Sequence, residues 1–429
     1  MHLSIGQAYA FSVFNAPLTR VLGVTESTAA DWKLTTVGWI FSLAIFFLGL
    51  SAAFAGKWLE KVGPRRTMFT AACCFGGGFI ISAIGVKTHQ IWLLYLGYGV
   101  IGGCGLGLGY VSPVSTLIKW FPDRRGMATG LAIMGFGGGA MIGSPLSVIL
   151  MKHFQSATSV GVAETFIVMG VLYFISMTIG SLAIRIPPEG WQPAGWTATA
   201  APKKMVTQHH VHIDEALKTP QFYLLWLMLC LNVTAGIGVI GQASVMLQEM
   251  FKGGITPEAA AGFVGLLSLF NMGGRFLWSS ASDYLGRQNT YFVFFVLGAF
   301  LYAMLPHLSA SGSTVLFIAA TAVILSMYGG GFSTIPAYLA DIFGTRYVGG
   351  IHGRLLTAWA AAGIFGPVLV NYIREYQIAH NVAKADAYTA TLYIMAGLLV
   401  LGFICNLLMK AVNERHHMPQ NELDGPLQA

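Results

Sequence analysis

Gly56-Lys57-Trp58-Leu59-Glu60-Lys61-Val62-Gly63-Pro64-Arg65-Arg66 is a charged turn between two apolar stretches, and a related turn, Ser282-Asp283-Tyr284-Leu285-Gly286-Arg287, follows 223 residues later, counted from Gly63 to Gly286. A glycine permits a tight turn between helices. An acid at a helix end beside basic side chains can hold neighbouring helices in one arrangement, which makes Gly56, Glu60, Gly63, Arg65 and Arg66, and again Asp283, Gly286 and Arg287, candidate gating residues. The same offset carries Pro113 to Pro336 and Gly130 to Gly353, with Pro145 answered one residue early by Pro367. The chain therefore reads as two copies of one unit.

Composition says what the unit is made of. Of 429 residues 55% are hydrophobic and 10% charged, against roughly 25% charged in a soluble domain. A bilayer span needs about 20 predominantly apolar residues, and full spans are expected at 33–56, 67–86, 91–118, 126–151, 164–185, 220–247, 259–281, 289–308, 313–340, 348–373 and 387–410. Met1–Leu18 also has membrane character, with no charge before Arg20 and no basic start or cleavage site of a signal peptide. It is expected to be a first helix lacking its N-terminal part. The predicted fold is all-α and integral to the membrane: twelve helices in two pseudo-symmetric six-helix halves. The first half covers 1–186, a linker 187–218, the second half 219–412 and a tail 413–429. Most of the 24 Lys and Arg fall on the side that holds the two glycine turns, the linker and the tail. By the positive-inside rule that side is cytoplasmic, so both termini are expected there, in a multi-pass protein of the cell membrane.

Several function classes drop out. The net charge of +7 is that of cytoplasmic loops and points to no nucleic acid. The five cysteines lie inside apolar stretches, offering no CxxC metal site or external disulfide framework, and the linker histidines His209, His210 and His212 read as solvated. No Gly-Lys-Ser/Thr loop follows the glycine-rich runs, which disfavours an ATP-driven pump. No nucleophile, base or metal set converges, so the chain is not read as an enzyme. No cofactor or metal is expected; the partners are the lipid bilayer and a small anion, and the chain is read as a monomer.

One residue breaks the apolar pattern. Arg275 sits within Phe270-Asn271-Met272-Gly273-Gly274-Arg275-Phe276, in the eighth span. A charge inside a span costs about 2.5–3.5 kcal/mol even on the lenient insertion scale, and is retained mainly where it faces a cavity or an anion. Ser268, Asn271, Arg275, Ser279 and Ser282 share one helical stripe, which is expected to face a central water-filled path. A guanidinium donates two parallel hydrogen bonds to a carboxylate and keeps its charge at any working pH. No acid stands one turn away on the helix, where Asn271 does, so the empty site is expected to be positive and to favour exchange of one anion for another.

The paired glycine turns resemble the loop signature of the major facilitator superfamily, whose tandem halves hold substrate at the membrane midplane. Gly6-Gln7-Ala8-Tyr9-Ala10-Phe11-Ser12-Val13-Phe14, Lys119-Trp120-Phe121-Pro122-Asp123-Arg124-Arg125-Gly126-Met127-Ala128-Thr129-Gly130, Thr219-Pro220-Gln221-Phe222 and Asp341-Ile342-Phe343-Gly344 are similar to the oxalate/formate antiporter family, a bacterial relative of the monocarboxylate transporters. That resemblance covers nearly the whole chain. It implies that Arg275, supported by Asn271, binds a substrate carboxylate, and that Tyr9, Tyr110, Tyr328 and Phe332 line the pocket. The chain departs from the family in helix eleven, where the lysine that serves a second carboxylate is replaced by Trp359. The expectation is a secondary transporter of a monocarboxylate such as formate, pyruvate or lactate. Proton-coupled monocarboxylate symport, oxalate/formate antiport and carboxylate sensing without transport are the alternatives.

Overall fold

The computed structural model describes residues 1–188, 191–194, 206–207, 209–251, 255 and 257–419; side chains are outside the description at 34–35, 55–57, 60, 244–245, 257–258 and 260–261. Much of the expected linker and the end of the tail therefore lie outside the described residues, as do the surroundings of Gly56 and the side chain of Glu60.

The described chain is helical throughout: α1 (residues 2–18), α2 (Leu34–Val62), α3 (Pro64–Lys87), α4 (Ile91–Trp120), α5 (Arg125–Phe154), α6 (Val162–Ala183), α7 (Pro220–Met250), α8 (Pro257–Leu285), α9 (Arg287–Ala310), α10 (Thr314–Phe343), α11 (Val348–Ala379) and α12 (Thr389–Leu407). Ten of these are long and apolar enough to cross a membrane by composition alone. The two outside that count are α1, which winds as a 3₁₀-helix over Gly6–Phe14, and α8, which carries Arg275 and Asp283.

The repeat seen in the sequence has a conformational basis. Gly63 and Gly286 take φ of 80° and 84° with ψ of 166° and 147°, a region essentially confined to glycine, and each is followed directly by the first residue of the next helix. Pro113 and Pro336 both lie inside helices, α4 and α10, and Pro145 and Pro367 inside α5 and α11. The two sets of helices meet along α2 with α11 and α5 with α8, pairs that the six-helix repeat interchanges.

Small residues set how closely these helices approach. A Cβ on Gly49 of α2 would lie 2.5 Å from the Leu356 carbonyl oxygen of α11, and one on Gly137 of α5 would lie 3.1 Å from the Met272 Cα of α8. At Gly274, between α8 and α10, it would lie 2.6 Å from the Ser326 carbonyl carbon, which is backbone and has nowhere to turn. Gly274→Ala is therefore expected to cost about 1–3 kcal/mol of overpacking and to lower the thermal midpoint of the detergent-solubilised protein. An unchanged midpoint would show that α8 and α10 have slack.

Candidate functional site

Arg275 lies at the crossing of α8 with α5 and α10 and is fully buried. Glycines make the slot: a Cβ on Gly137 would lie 3.1 Å from the Arg275 Nε, and one on Gly329 would lie 3.1 Å from its Cγ. The guanidinium is held from two sides. Its Nε donates to Asn271 Oδ1 at 2.8 Å, and its Nη1 to the Ile133 carbonyl of α5 at 3.4 Å. Ser333 of α10 donates to the Arg275 carbonyl at 2.7 Å. Nη2 makes no hydrogen bond of good geometry, although the Tyr9 hydroxyl lies near enough to the guanidinium to interact with it, and among the described residues no carboxylate pairs with Arg275.

Aromatic rings enclose the guanidinium. Its Cζ lies 5.6 Å from the Phe136 ring centroid and 5.3 Å from that of Phe332, cation–π geometry that offsets part of the cost of burial. Tyr110 and Trp359 stand edge-on to the same two rings, at 5.8 and 5.5 Å for Tyr110 and 5.3 and 4.3 Å for Trp359. Tyr9 adds an edge contact to Phe136 at 5.0 Å, and its hydroxyl meets that of Tyr328 at 3.0 Å, a link from α1 to α10. Tyr110 Oη and Trp359 Nε1 are buried without a partner. A buried polar group left unpaired costs about 1–3 kcal/mol, and three such atoms, on Arg275, Tyr110 and Trp359, belong to residues packed on the same two rings.

Every residue named from the sequence for substrate contact, Tyr9, Tyr110, Asn271, Arg275, Tyr328, Phe332 and Trp359, thus falls in one cluster. The stripe on α8 does not behave as expected along its whole length. Asn271 and Arg275 line the box, but Ser279 and Ser282 are buried and bond to carbonyls of their own helix. The reason is close packing: Gly126 and Gly130 of α5 bring that helix onto Ser279, leaving no water path there.

The turn residues also divide. Arg65 donates to the carbonyls of Leu182 and Ile184 at the end of α6, at 3.0 and 3.2 Å, and Arg66 is exposed. In the second copy an ionic cluster does form and crosses between the halves. Asp283 accepts from the backbone N–H of Gly126 and of Met127, both at 3.0 Å, capping α5. It also pairs with Arg287 at 2.6 Å, while Asp341 pairs with Arg287 at 3.1 Å and with Arg125 at 3.3 Å. This end of the bundle is closed.

Three site residues escaped the sequence reading: Phe136, Arg125 and Asp341. Phe136 had one usable signal, since the offset of 223 carries it onto Trp359, and the two rings meet across the pseudo-symmetric pair of helices α5 and α11. Arg125 and Asp341 stand in two of the motifs that carry the family resemblance.

Paired halves, a buried guanidinium among aromatic rings where they meet and an ionic cluster across one end are features of a multi-pass membrane transporter. The comparisons agree. A sequence profile described as Major Facilitator Superfamily matches residues 3–367. The chain is 29% identical to the oxalate:formate antiporter of Oxalobacter formigenes, over 84% of this chain and 79% of that one, and 23% identical to apicoplast pyruvate carrier 1 of Toxoplasma gondii, over 91% and 78%. Its fold is that of the fucose:proton symporter of E. coli, with a TM-score of 0.65 at 12% identity, covering 95% and 96% of the two chains. The chain belongs to the Major Facilitator Superfamily. The relatives and the structural neighbour are transporters, not enzymes.

Proposed function

We propose that this protein is a secondary transporter that exchanges small monocarboxylates, with formate, pyruvate and lactate as candidates, by alternating access across the cell membrane, its basic end and both termini in the cytoplasm. The observation that carries the reading is the buried Arg275 guanidinium with no hydrogen bond of good geometry at Nη2 and no described carboxylate partner. Burying a charge without compensation is costly, and a bound carboxylate supplies the missing partner with matching fork geometry. Asn271 aims the guanidinium, Tyr110, Phe136, Phe332 and Trp359 wall the pocket, and Tyr9 with Tyr328 closes it away from the basic end. The indole of Trp359 is neutral, so a second carboxylate entering the box would be buried without a countercharge; this disfavours dianions such as oxalate.

Exchange follows from the same electrostatics. An empty site keeps its positive charge and resists the rocking that would carry it across a dry interface. A site neutralised by an anion does not. The test is counterflow in proteoliposomes preloaded with formate, pyruvate, lactate or oxalate and challenged with labelled anion. Trans-stimulated uptake of a monocarboxylate with little of oxalate is the expected result, and net efflux as fast with no opposing anion would refute exchange. Proton-coupled symport is a second reading, favoured by His352, which is 2% exposed, lacks a partner at Nε2 and has its ring centroid 6.0 Å from that of Tyr110. Glu249 is a weaker proton carrier, since Arg374 and Tyr388 already engage it. Uptake driven by an imposed pH step into empty vesicles separates symport from exchange.

A further inference from the structure

The linker histidines, expected from the sequence to be solvated, are tied into a strap at the basic end. Thr207 N–H donates to the Asp341 carbonyl at 2.8 Å and Val211 N–H to the Phe343 carbonyl at 3.0 Å, so the linker lies along the last turn of α10. The tail holds it from the other side. Met418 N–H donates to the His210 carbonyl at 2.8 Å, Val211 and His417 form an antiparallel bridge, and the rings of His209 and His417 stack with centroids 4.7 Å apart at 15°. His210 packs so closely on Gly344 that a Cβ there would collide with its ring, and its Nδ1 is buried without a hydrogen bond. The same turn of α10 carries the Asp341 carboxylate, which joins Arg125 of α5 to Arg287. Strap and ionic cluster thus share one turn of helix.

The histidines of the strap divide by their neighbours. His210 faces Arg346, Arg125 and His209; burial first, and then these neighbours, hold it below the ordinary histidine value. Burial and His209 hold His417 down in the same way, with His416 adding to them and Glu414 opposing. His416 and His212 have acids instead, Glu215 at 3.3 Å and Asp214 at 3.9 Å, contacts that run within the strap itself. We infer that linker and tail form an acid-sensitive strap: with His210 and His417 neutral it braces the end of α10 and the Asp341 cluster, and their protonation sets positive charge beside Arg125, Arg346 and His209, unfastens the strap and favours opening of this end. The fastened arrangement binds fewer protons than the unfastened one. Its stability is therefore fully present above about pH 6.5, the ordinary histidine value, and is lost as the pH falls below it.

Two measurements on the full chain in nanodiscs read the two parts separately: spin labels at Asp123 and Tyr284 report the ionic end, and hydrogen exchange at the Thr207 and Val211 amides, corrected for its intrinsic pH dependence, reports the strap. Between about pH 7.5 and about pH 5.5 the population with the longer label distance is expected to rise about fivefold, the weight of one like-charge contact near a surface, with protection lost at both amides. His210→Gln combined with His417→Gln is expected to hold both readouts at their neutral-pH values, His210→Lys to show the acid pattern already at neutral pH, and His416→Gln to respond as the wild type does. A wild type in which neither readout moves overturns the inference. So does an acid response retained by the double variant, which would belong to the carboxylates of Asp283 and Asp341, and so do amides that lose protection while the label distance stays short. Should the double variant fail to insert, His210→Lys decides, and a short distance with protected amides at neutral pH overturns the inference.

Discussion

Arg275→Lys is expected to lower monocarboxylate counterflow by at least about a hundredfold, equivalent to about 2.7 kcal/mol, and Arg275→Gln to abolish it, without a matching loss of fold. The guanidinium does three things at once: it donates to Asn271 on its own helix, to the Ile133 carbonyl on α5, and leaves Nη2 for a ligand. A lysine is a compact point charge on a flexible stem and cannot reproduce that fixed fork. Stability should respond differently from activity. The arginine is fully buried with no described acid beside it, so removing the charge relieves a cost that partly offsets the two lost hydrogen bonds. The thermal midpoint of the empty Gln variant should therefore stay close to that of the wild type. A transported anion at 100 times its Kd stabilises the wild type by about 2.7 kcal/mol through mass action, and that anion-dependent rise should vanish in the variant. Exchange in Arg275→Gln within tenfold of wild type would place the anion elsewhere.

The parts of this arrangement legible in the sequence were those that break a local rule. A charge inside an apolar helix stands out because its burial is expensive, and Arg275 is fully buried against the Phe136 and Phe332 rings. Gly63 and Gly286 were legible because a turn between two helices needs a conformation that glycine adopts freely, and both have positive φ. Phe136 breaks no rule: a phenyl group in an apolar run satisfies packing whether or not a ligand touches it. Helical spacing placed Ser279 and Ser282 on the face of Arg275 correctly but could not say what that face meets, because the approach of α5 depends on glycines more than a hundred residues away in the chain. Arg125 and Asp341 share the difficulty; each is an ordinary charge at a helix end until the two halves bring them together.

Those long-range pairs lead to the second large effect. Asp283→Asn is expected to open the basic end. The carboxylate of Asp283 accepts from Gly126 N–H and Met127 N–H across the boundary between halves and pairs with Arg287 on its own side. These groups are largely buried, with side-chain exposures of 17% for Asp283 and 9% for Arg287. Weakening the two charge-assisted hydrogen bonds from α5, at about 1.5 kcal/mol each, costs about 3 kcal/mol. The cost falls on the arrangement with this end closed, since the bonds to α5 exist only when the halves meet there. A two-state equilibrium moves by the differential energy of its states, here about a hundredfold toward opening. Spin labels at Asp123, after α4, and Tyr284, after the last turn of α8 begins to leave the interface, report the separation of the halves at this end. The wild type should give one short distance, and Asp283→Asn a dominant longer one. An unchanged distribution would mean that Asp341, bridging Arg125 and Arg287 at 3.3 and 3.1 Å, holds the end closed by itself, and the double variant Asp283→Asn with Asp341→Asn would then be the one that opens it.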